Sequence, residues 1–285
     1  MDVPSGGICC SLCGATKSRR FSDTVWRGIT VRYRICSNCG FVFQSPRMTG
    51  KTLEEYYRKA YREQLQGTES PTVGDAVLQD GRARSLLQFL ARRPSGVSRH
   101  LDIGCSYGSL IGHFQKAFGC QSVGVEPGDA YRRHCSEAGI EVYPLIDDLK
   151  ATAPPRFDLV SMVHVLEHLD QPREYLRMLA AALLADDGHI LVEVPNLYGH
   201  PCFEVAHMYA FSRHTLEEML RSAGFRIVAG EVHGRPRGRR PYYVTVLARR
   251  AQGSGAAAVR PERWVWAKRQ AGIMKDRLQS LLGVR

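Results

Sequence analysis

Apolar and polar positions change rhythm several times along the chain. From Arg99 onward, short apolar runs alternate with stretches that repeat at helical spacing. The runs RHLDIG, SVGVEP, IEVYPL, FDLVSMV and HILVEV read as strands. Between them, SLIGHFQKAFG, DAYRRHCSEAG and PREYLRMLAAALLADDG read as helices, with Gly119, Gly139 and Gly188 where helix C-caps belong. This alternation predicts an α/β fold, a parallel sheet with helices on both faces. SRHTLEEMLRSAGF adds a helix capped by Ser212. RIVAGEV and YYVTVLARR follow it, joined by an Arg/Pro/Gly-rich loop, and predict a terminal antiparallel hairpin.

The chain before Arg99 has a different texture. Residues 1–46 carry Cys, Gly and Arg with short extended runs such as GITVRYRIC. TLEEYYRKAYREQL predicts a helix with Thr52 as N-cap. A second helix is expected over GDAVLQDGRARSLLQFLARR, with Val77, Leu78, Leu86, Leu87, Phe89 and Leu90 as its apolar positions. At the other end AQGSGAAAV reads as a linker. The last segment places Trp264, Ala271, Met274, Leu278 and Leu281 on one helical face, with the two tryptophans, Trp264 and Trp266, expected to bury there. The resulting division is 1–46, 47–95, 96–250 and 251–285.

Composition narrows the classes. With 44% hydrophobic and 24% charged residues the chain reads as an ordinary globular protein, and no apolar run is long enough for a membrane span. The N-terminus has no basic start or apolar core, so a cytoplasmic protein with reduced thiols is expected. The net charge of +11 resides entirely in residues 235–285; the rest of the chain is balanced. A basic tail on a neutral core weakens an argument from charge to nucleic acid.

The nine cysteines therefore call for a reason other than disulfides. Cys10-x-x-Cys13-Gly14 and Cys36-x-x-Cys39-Gly40 form two matching knuckles. Their spacing predicts one zinc held by Cys10, Cys13, Cys36 and Cys39, a zinc ribbon over 1–46. Four thiolates leave no open position, so this zinc is structural. Cys105, Cys120, Cys135 and Cys202 lack ligand spacing and read as small buried hydrophobes.

The turn HLDIGCSYGSL lacks the middle glycine that a dinucleotide pyrophosphate needs, with Ser106 in its place. LDIGCSYG, Glu126 at the end of SVGVEP, FDLVSMVHVLEHLDQP and DGHILVEVPN occur in an order that resembles the class I S-adenosylmethionine-dependent methyltransferases, over residues 96–250. The resemblance implies S-adenosylmethionine as cofactor and a Rossmann-like seven-stranded sheet. It implies a cofactor site of Asp102, Gly104, Cys105, Ser106 and Gly108 at the turn, Glu126 toward the ribose, Asp147 and Asp148 toward the adenine, and His164 beside the methyl group. The CxxCG pairs, CSNCGFVFQSPRM, YYRKAY and FSRHTLEEMLRSAGF add a narrower resemblance, to a zinc-ribbon branch rich in enzymes of sugar and natural-product tailoring. In the deoxysugar C-methyltransferases of that branch a longer C-terminal domain follows, whereas a single helix is expected at that place here, a departure from their pattern.

Methyl transfer to a hydroxyl, amine or carbon acid needs alignment and, for a protic acceptor, a base. The segment PNLYGHPCFEVAHMYAFSRHT lies where ligands bind such a sheet. His207 matches the histidine that serves as base in the deoxysugar members, although Ala206 breaks the pattern before it. His164 and Tyr209 are the other catalytic candidates, with Glu204 nearby. The acceptor is expected to be a small molecule. Two rival readings are an RNA methyltransferase with a zinc recognition module and a non-catalytic zinc-ribbon interaction protein. The basic C-terminal helix is a candidate contact for a second copy or an acidic carrier protein.

Overall fold

A computed structural model describes residues 8–48, 50, 55–56, 67–91, 96–199, 203–234, 241–251 and 258–281. Apart from Glu55 and Tyr56, the helix expected over TLEEYYRKAYREQL, with its Thr52 cap, lies outside the described residues, as does Cys202.

The described elements are β1 (Ser18–Trp26), β2 (Ile29–Cys36), β3 (Val42–Gln44), α1 (Val73–Leu90), β4 (Arg99–Ile103), α2 (Ser109–Phe118), β5 (Gln121–Val125), α3 (Asp129–Glu137), β6 (Glu141–Tyr143), α4 (Ile146–Ala151), β7 (Phe157–Val163), a 3-10 turn (Leu166–His168), α5 (Pro172–Met178), β8 (Leu184–Pro195), β9 (Tyr209–Ala210), α6 (Arg213–Ser222), β10 (Phe225–His233), β11 (Tyr243–Arg250) and α7 (Val265–Leu281). The large sheet has seven strands in the order β10-β11-β8-β7-β4-β5-β6. β4 runs parallel to β5 and β7, and β5 parallel to β6. β10 and β11 form the expected antiparallel hairpin. The α/β fold class is thus as the apolar rhythm implied, and the seven strands are as the resemblance implied.

Contacts divide the chain into two compact units. One comprises residues 50–165 and 178–191. Its core gathers Leu101 and Ile103 of β4, Ile111 and Phe114 of α2, and Leu159, Val160 and Met162 of β7, all nearly inaccessible. α1 begins with a capping box in which the Thr72 hydroxyl accepts from the Asp75 amide and the Asp75 carboxylate accepts from the Thr72 amide. Its apolar seam is Ala83, Leu86, Phe89 and Leu90. Val77 and Leu78, expected on that seam, are exposed, because the buried stripe begins only in the second half of the helix.

The other unit comprises residues 1–49, 166–177 and 192–285. Here β1, β2, β3 and β9 form an antiparallel four-stranded sheet. Val42 opposes Ala210 and Phe43 opposes Tyr209, so the last strand of the cysteine-rich sheet comes from a segment more than 160 residues away in sequence. Tyr33, Val42, Leu197, Phe203 and Val265 pack in one cluster.

Two expectations are corrected. The helix from Pro172 ends at Met178, continues as a π-turn through Leu183, and Leu184 already begins β8. Gly188 therefore lies within a strand instead of capping a helix. A Cβ there would lie 2.9 Å from the Ala185 carbonyl oxygen, so close backbone approach accounts for it. The C-terminal helix α7 forms, but rotated from the expected face. Val265 and Arg269 are its buried residues, whereas Trp264, Trp266, Met274 and Leu278 are exposed. The guanidinium of Arg269 donates to the Leu197 carbonyl and stacks over the ring of Phe203, which fixes that rotation.

Candidate functional site

The first group of candidate side chains sits at the carboxyl ends of β4, β5 and β7. Asp102 is 2% exposed and its carboxylate accepts a hydrogen bond from Ser161 at 2.6 Å. Ser161 in turn lies 2.8 Å from Nε2 of His100. With the serine proton given to Asp102, the ring nitrogen donates to the serine oxygen, and a chain His100–Ser161–Asp102 leads from the core to the turn. Burial pushes the Asp102 carboxyl up to about 7, with the nearby Glu126 adding to the rise and the Ser161 bond opposing it. Burial holds His100 down at about 3, so this ring is neutral.

After Ile103 the chain turns sharply. Gly104, Ser106 and Gly108 have φ of +73°, +53° and +87°. The left-handed conformation at Ser106 explains why a glycine suits that slot: an L-residue pays for it and glycine does not. Gly104 is further required because a Cβ would lie 2.4 Å from Cγ2 of Val165. The Ser106 amide donates to Glu126 at 2.9 Å, and the Gly128 amide donates to the other oxygen of the same carboxylate at 2.9 Å. Cys105 and Cys135 are buried against one another behind the turn, and the Cys135 thiol donates to the Ser106 carbonyl at 3.1 Å. Cys120 is buried as well.

His164 follows β7 with φ +56°, an uncommon backbone for a non-glycine residue and one found at functional turns. Asp147 and Asp148 are exposed in the first turn of α4. Asp148 accepts from the Leu145 amide at 3.0 Å and Asp147 pairs with Lys150 at 2.9 Å, so both have local partners.

The second group lies in the other unit. Cys10, Cys13, Cys36 and Cys39 converge, with their sulfur atoms all within 4.8 Å of one another. The Cys10–Cys39 and Cys13–Cys36 sulfur pairs are each 3.6 Å apart. Four sulfurs at about 2.3 Å from a tetrahedral ion would be about 3.8 Å apart, so the residues fit a four-thiolate metal. Both knuckles close by backbone bonds, Gly14 amide to Cys10 carbonyl and Gly40 amide to Cys36 carbonyl.

Around this sheet the segment 203–212 is fastened at many points. The Gln44 amide donates to the Met208 carbonyl and the Met208 amide to the Glu167 carbonyl. The side chain of Gln44 reaches the Glu204 and Val205 carbonyls, and the Tyr33 hydroxyl reaches that of His207. A small pocket is lined by Asn196, Leu197, Phe203, His207, Tyr209 and Arg269, among others. Tyr209 is 1% exposed and lies between the ring of Phe41 and the guanidinium of Arg47. Its hydroxyl donates to the Asp170 carbonyl at 2.7 Å and meets Ser11 at 2.7 Å. Burial raises this phenol to about 12. His207 has Glu204 at 4.0 Å from Nε2 and the ring of His168 at 4.9 Å between centroids.

Some members of this second group escaped sequence reasoning: Arg269 at the pocket wall, Tyr33 behind His207, and Glu167 with His168 beside it. Only Glu167 and His168 had any signal, through the HVLEHL segment, and that gave no hint of proximity to His207.

Residues 78–229 match the family model for a methyltransferase domain. The chain is 28% identical over 119 residues to the ubiquinone biosynthesis O-methyltransferase of Serratia proteamaculans, covering 39% of this chain and 48% of that one. It is 31% identical over 103 residues to the protein of the same description from Stutzerimonas stutzeri, covering 34% and 44%. The chain thus spans about half the length of the curated relatives it matches. Two solved structures share the fold. A methyltransferase from Archaeoglobus fulgidus, described as S-adenosylmethionine-dependent, has a TM-score of 0.51, 22% identity and coverage of 67% and 98%. The Burkholderia thailandensis 1,6-didemethyltoxoflavin-N1-methyltransferase, solved with 1,6-didemethyltoxoflavin and S-adenosylhomocysteine, has a TM-score of 0.53, 19% identity and coverage of 76% and 98%.

Proposed function

The chain belongs to the methyltransferase domain family, and from that premise we propose that it transfers a methyl group from S-adenosylmethionine to a hydroxyl of a small molecule, a sugar or a natural-product intermediate, in the cytoplasm. The observation that carries this reading is the pair of buried carboxylates, Asp102 and Glu126, at neighbouring strand ends around a turn with three left-handed residues. Acceptor oxygens at this position suit a ligand that presents an ammonium and ribose hydroxyls, and Ser106 in place of the middle glycine disfavours a pyrophosphate.

The cofactor supplies an electrophilic methyl carbon and a neutral thioether leaving group. The chain's part is to hold and align. Asp102, Gly104, Cys105, Ser106 and Gly108 form the turn that receives the cofactor; Glu126 accepts from the ribose hydroxyls; Asp147, Asp148 and His164 complete that side. His207 would take up the proton released by the acceptor hydroxyl. Glu204, 4.0 Å from Nε2 of His207, stabilises the resulting imidazolium. Tyr209, its hydroxyl engaged by Asp170 and Ser11, anchors the start of β9, two residues after His207.

We also propose one structural zinc on Cys10, Cys13, Cys36 and Cys39. It stabilises a cysteine-rich sheet whose own apolar core is small. The exposed Trp264, Trp266, Met274 and Leu278 on a basic helix are the surface proposed for a second copy or an acidic carrier.

Calorimetric titration of the full chain with S-adenosylhomocysteine tests the cofactor assignment; binding that is lost in Glu126→Ala is the expected result. Methylation of a panel of hydroxylated sugars and aromatic metabolites, followed by mass, tests the reaction. His207→Ala that binds cofactor normally and turns over normally would remove the base. Metal analysis giving one zinc per chain, lost in Cys36→Ser, tests the ribbon.

A further inference from the structure

We infer that Glu167, His168 and His207 form a second metal site, distinct from the four cysteines, that takes a borderline divalent cation such as zinc, cobalt(II) or iron(II). The three side chains bring ligand atoms within 4.8 Å of one another. They are well shielded: Glu167 is 1% exposed, and the side chains of His168 and His207 are 8% and 12% exposed.

The tautomer of His168 follows from its neighbour. Nδ1 lies 2.9 Å from the Ala206 carbonyl oxygen. A carbonyl only accepts, so Nδ1 carries the hydrogen, and in the neutral ring Nε2 carries the lone pair. That Nε2 is 3.8 Å from Oε1 of Glu167. With Nδ1 turned to the carbonyl, Nε2 is the atom that faces the Glu167 carboxylate, and the two lie in one buried space that a shared cation can bridge. The backbone bond on Nδ1 is also how proteins orient a metal-binding imidazole.

His207 supplies the third donor. Its ring lies 4.9 Å from that of His168, and its backbone is held by Tyr33. Metal–ligand distances of about 2 Å put the ligand atoms of a tetrahedral shell about 3.3 Å apart, so side-chain shifts of about 1 Å from the present spacing close the shell. Two imidazoles and one carboxylate favour the borderline metals over magnesium or calcium, which prefer all-oxygen shells. Three protein ligands leave open positions, unlike the closed four-thiolate site. Glu204, 4.0 Å from Nε2 of His207, is a fourth donor within reach.

This inference goes beyond the reading above and does not depend on it. A metal on Nε2 of His207 occupies the lone pair that would otherwise take a proton from the acceptor. Metal-loaded and base-competent forms of His207 are therefore alternatives.

The test uses the full chain with its cysteine site first filled by one equivalent of zinc. Cobalt(II) is then titrated in. One further equivalent should bind, with ligand-field absorption in the visible and no thiolate-to-metal charge-transfer band. His168→Ala and His207→Ala should each weaken it at least tenfold, with circular dichroism and S-adenosylhomocysteine affinity unchanged. Glu167→Gln, which keeps the shape of the side chain, should weaken it as well, and covers the case in which an alanine variant misfolds. Failure to bind a further equivalent would mean that a proton fills the gap and would overturn the site. So would binding that survives in both histidine variants. Turnover lost in His207→Ala in a protein that binds no second metal would leave the base reading standing alone.

Discussion

Tyr33 and His207, 174 residues apart in sequence, are joined by a hydrogen bond in which the tyrosine hydroxyl donates to the His207 carbonyl at 2.5 Å. The ring of Tyr33 also stacks on Phe203 at 3.9 Å between centroids. A residue of the cysteine-rich sheet therefore sets the height of the histidine proposed as base. Tyr33→Phe keeps the stacking and deletes the bond, worth about 1 kcal/mol. Turnover with any accepted substrate should fall about three- to tenfold, with S-adenosylhomocysteine affinity unchanged. Equal kcat in variant and parent would show that the bond does not position His207.

Ser106 gives a stability prediction. Its φ of +53° costs an L-residue roughly 1–2 kcal/mol. Glycine removes that cost and gives back about 0.5–1 kcal/mol through a freer unfolded chain. Ser106→Gly should therefore stabilise the protein, by up to about 1 kcal/mol in urea unfolding. A lowered midpoint would mean that the serine hydroxyl contributes more than its backbone costs.

Asp102 gives a pH prediction. Its carboxyl titrates near 7 in the folded chain against 3.8 in its absence of structure. The folded state therefore holds this proton more tightly than the unfolded one. The stability it confers is complete below about pH 4 and is lost as pH rises through 7. Asp102→Asn removes the ionisation, so the variant should gain on the parent between pH 5 and pH 8, by on the order of a few kcal/mol. Unfolding midpoints at the two pH values measure it, and a constant difference would refute the shift. The same variant should bind the cofactor more weakly.

Gly104 separates space from backbone strain. Gly104→Ala meets Val165 at 2.4 Å and must hold φ at +73°. Affinity for S-adenosylhomocysteine should fall more than about tenfold, about 1.4 kcal/mol. Adding Val165→Ala opens the space but leaves the strain, so the double variant should recover part of the loss. Full recovery would show that the backbone conformation costs little here.

The sheet was legible because parallel strands are signalled locally. LDIG, SVGV and FDLVSMV each announce a buried strand, and the glycines after them announce the turns. The cysteine knuckles were legible for the same reason, since the spacing within each pair fixes its geometry. What the sequence hid is non-local. Nothing in YAF suggests a strand that pairs with VFQ, because two residues carry no periodicity and the pairing partner is far away. The exposed face of α7 was misread because Arg269, a charged residue, buries and its tryptophans do not. A guanidinium stacked over Phe203 outweighs the ordinary apolar rule there. The adjacency of His168 and His207 was hidden too, since it depends on the backbone bonds from Met208 to Glu167 and to Gln44.

The pairing of β3 with β9 has a practical meaning for anyone who recombines relatives of this chain. The cysteine-rich front and the segment around His207 are one interlocked module, despite their separation in the gene. A chimera that exchanges residues 8–48 alone would break the Phe43–Tyr209 register and leave Tyr33 and Gln44 facing foreign carbonyls. Crossovers that carry 8–48 and 196–212 together keep the lattice whole, and these are the breakpoints at which acceptor preference should travel from parent to hybrid.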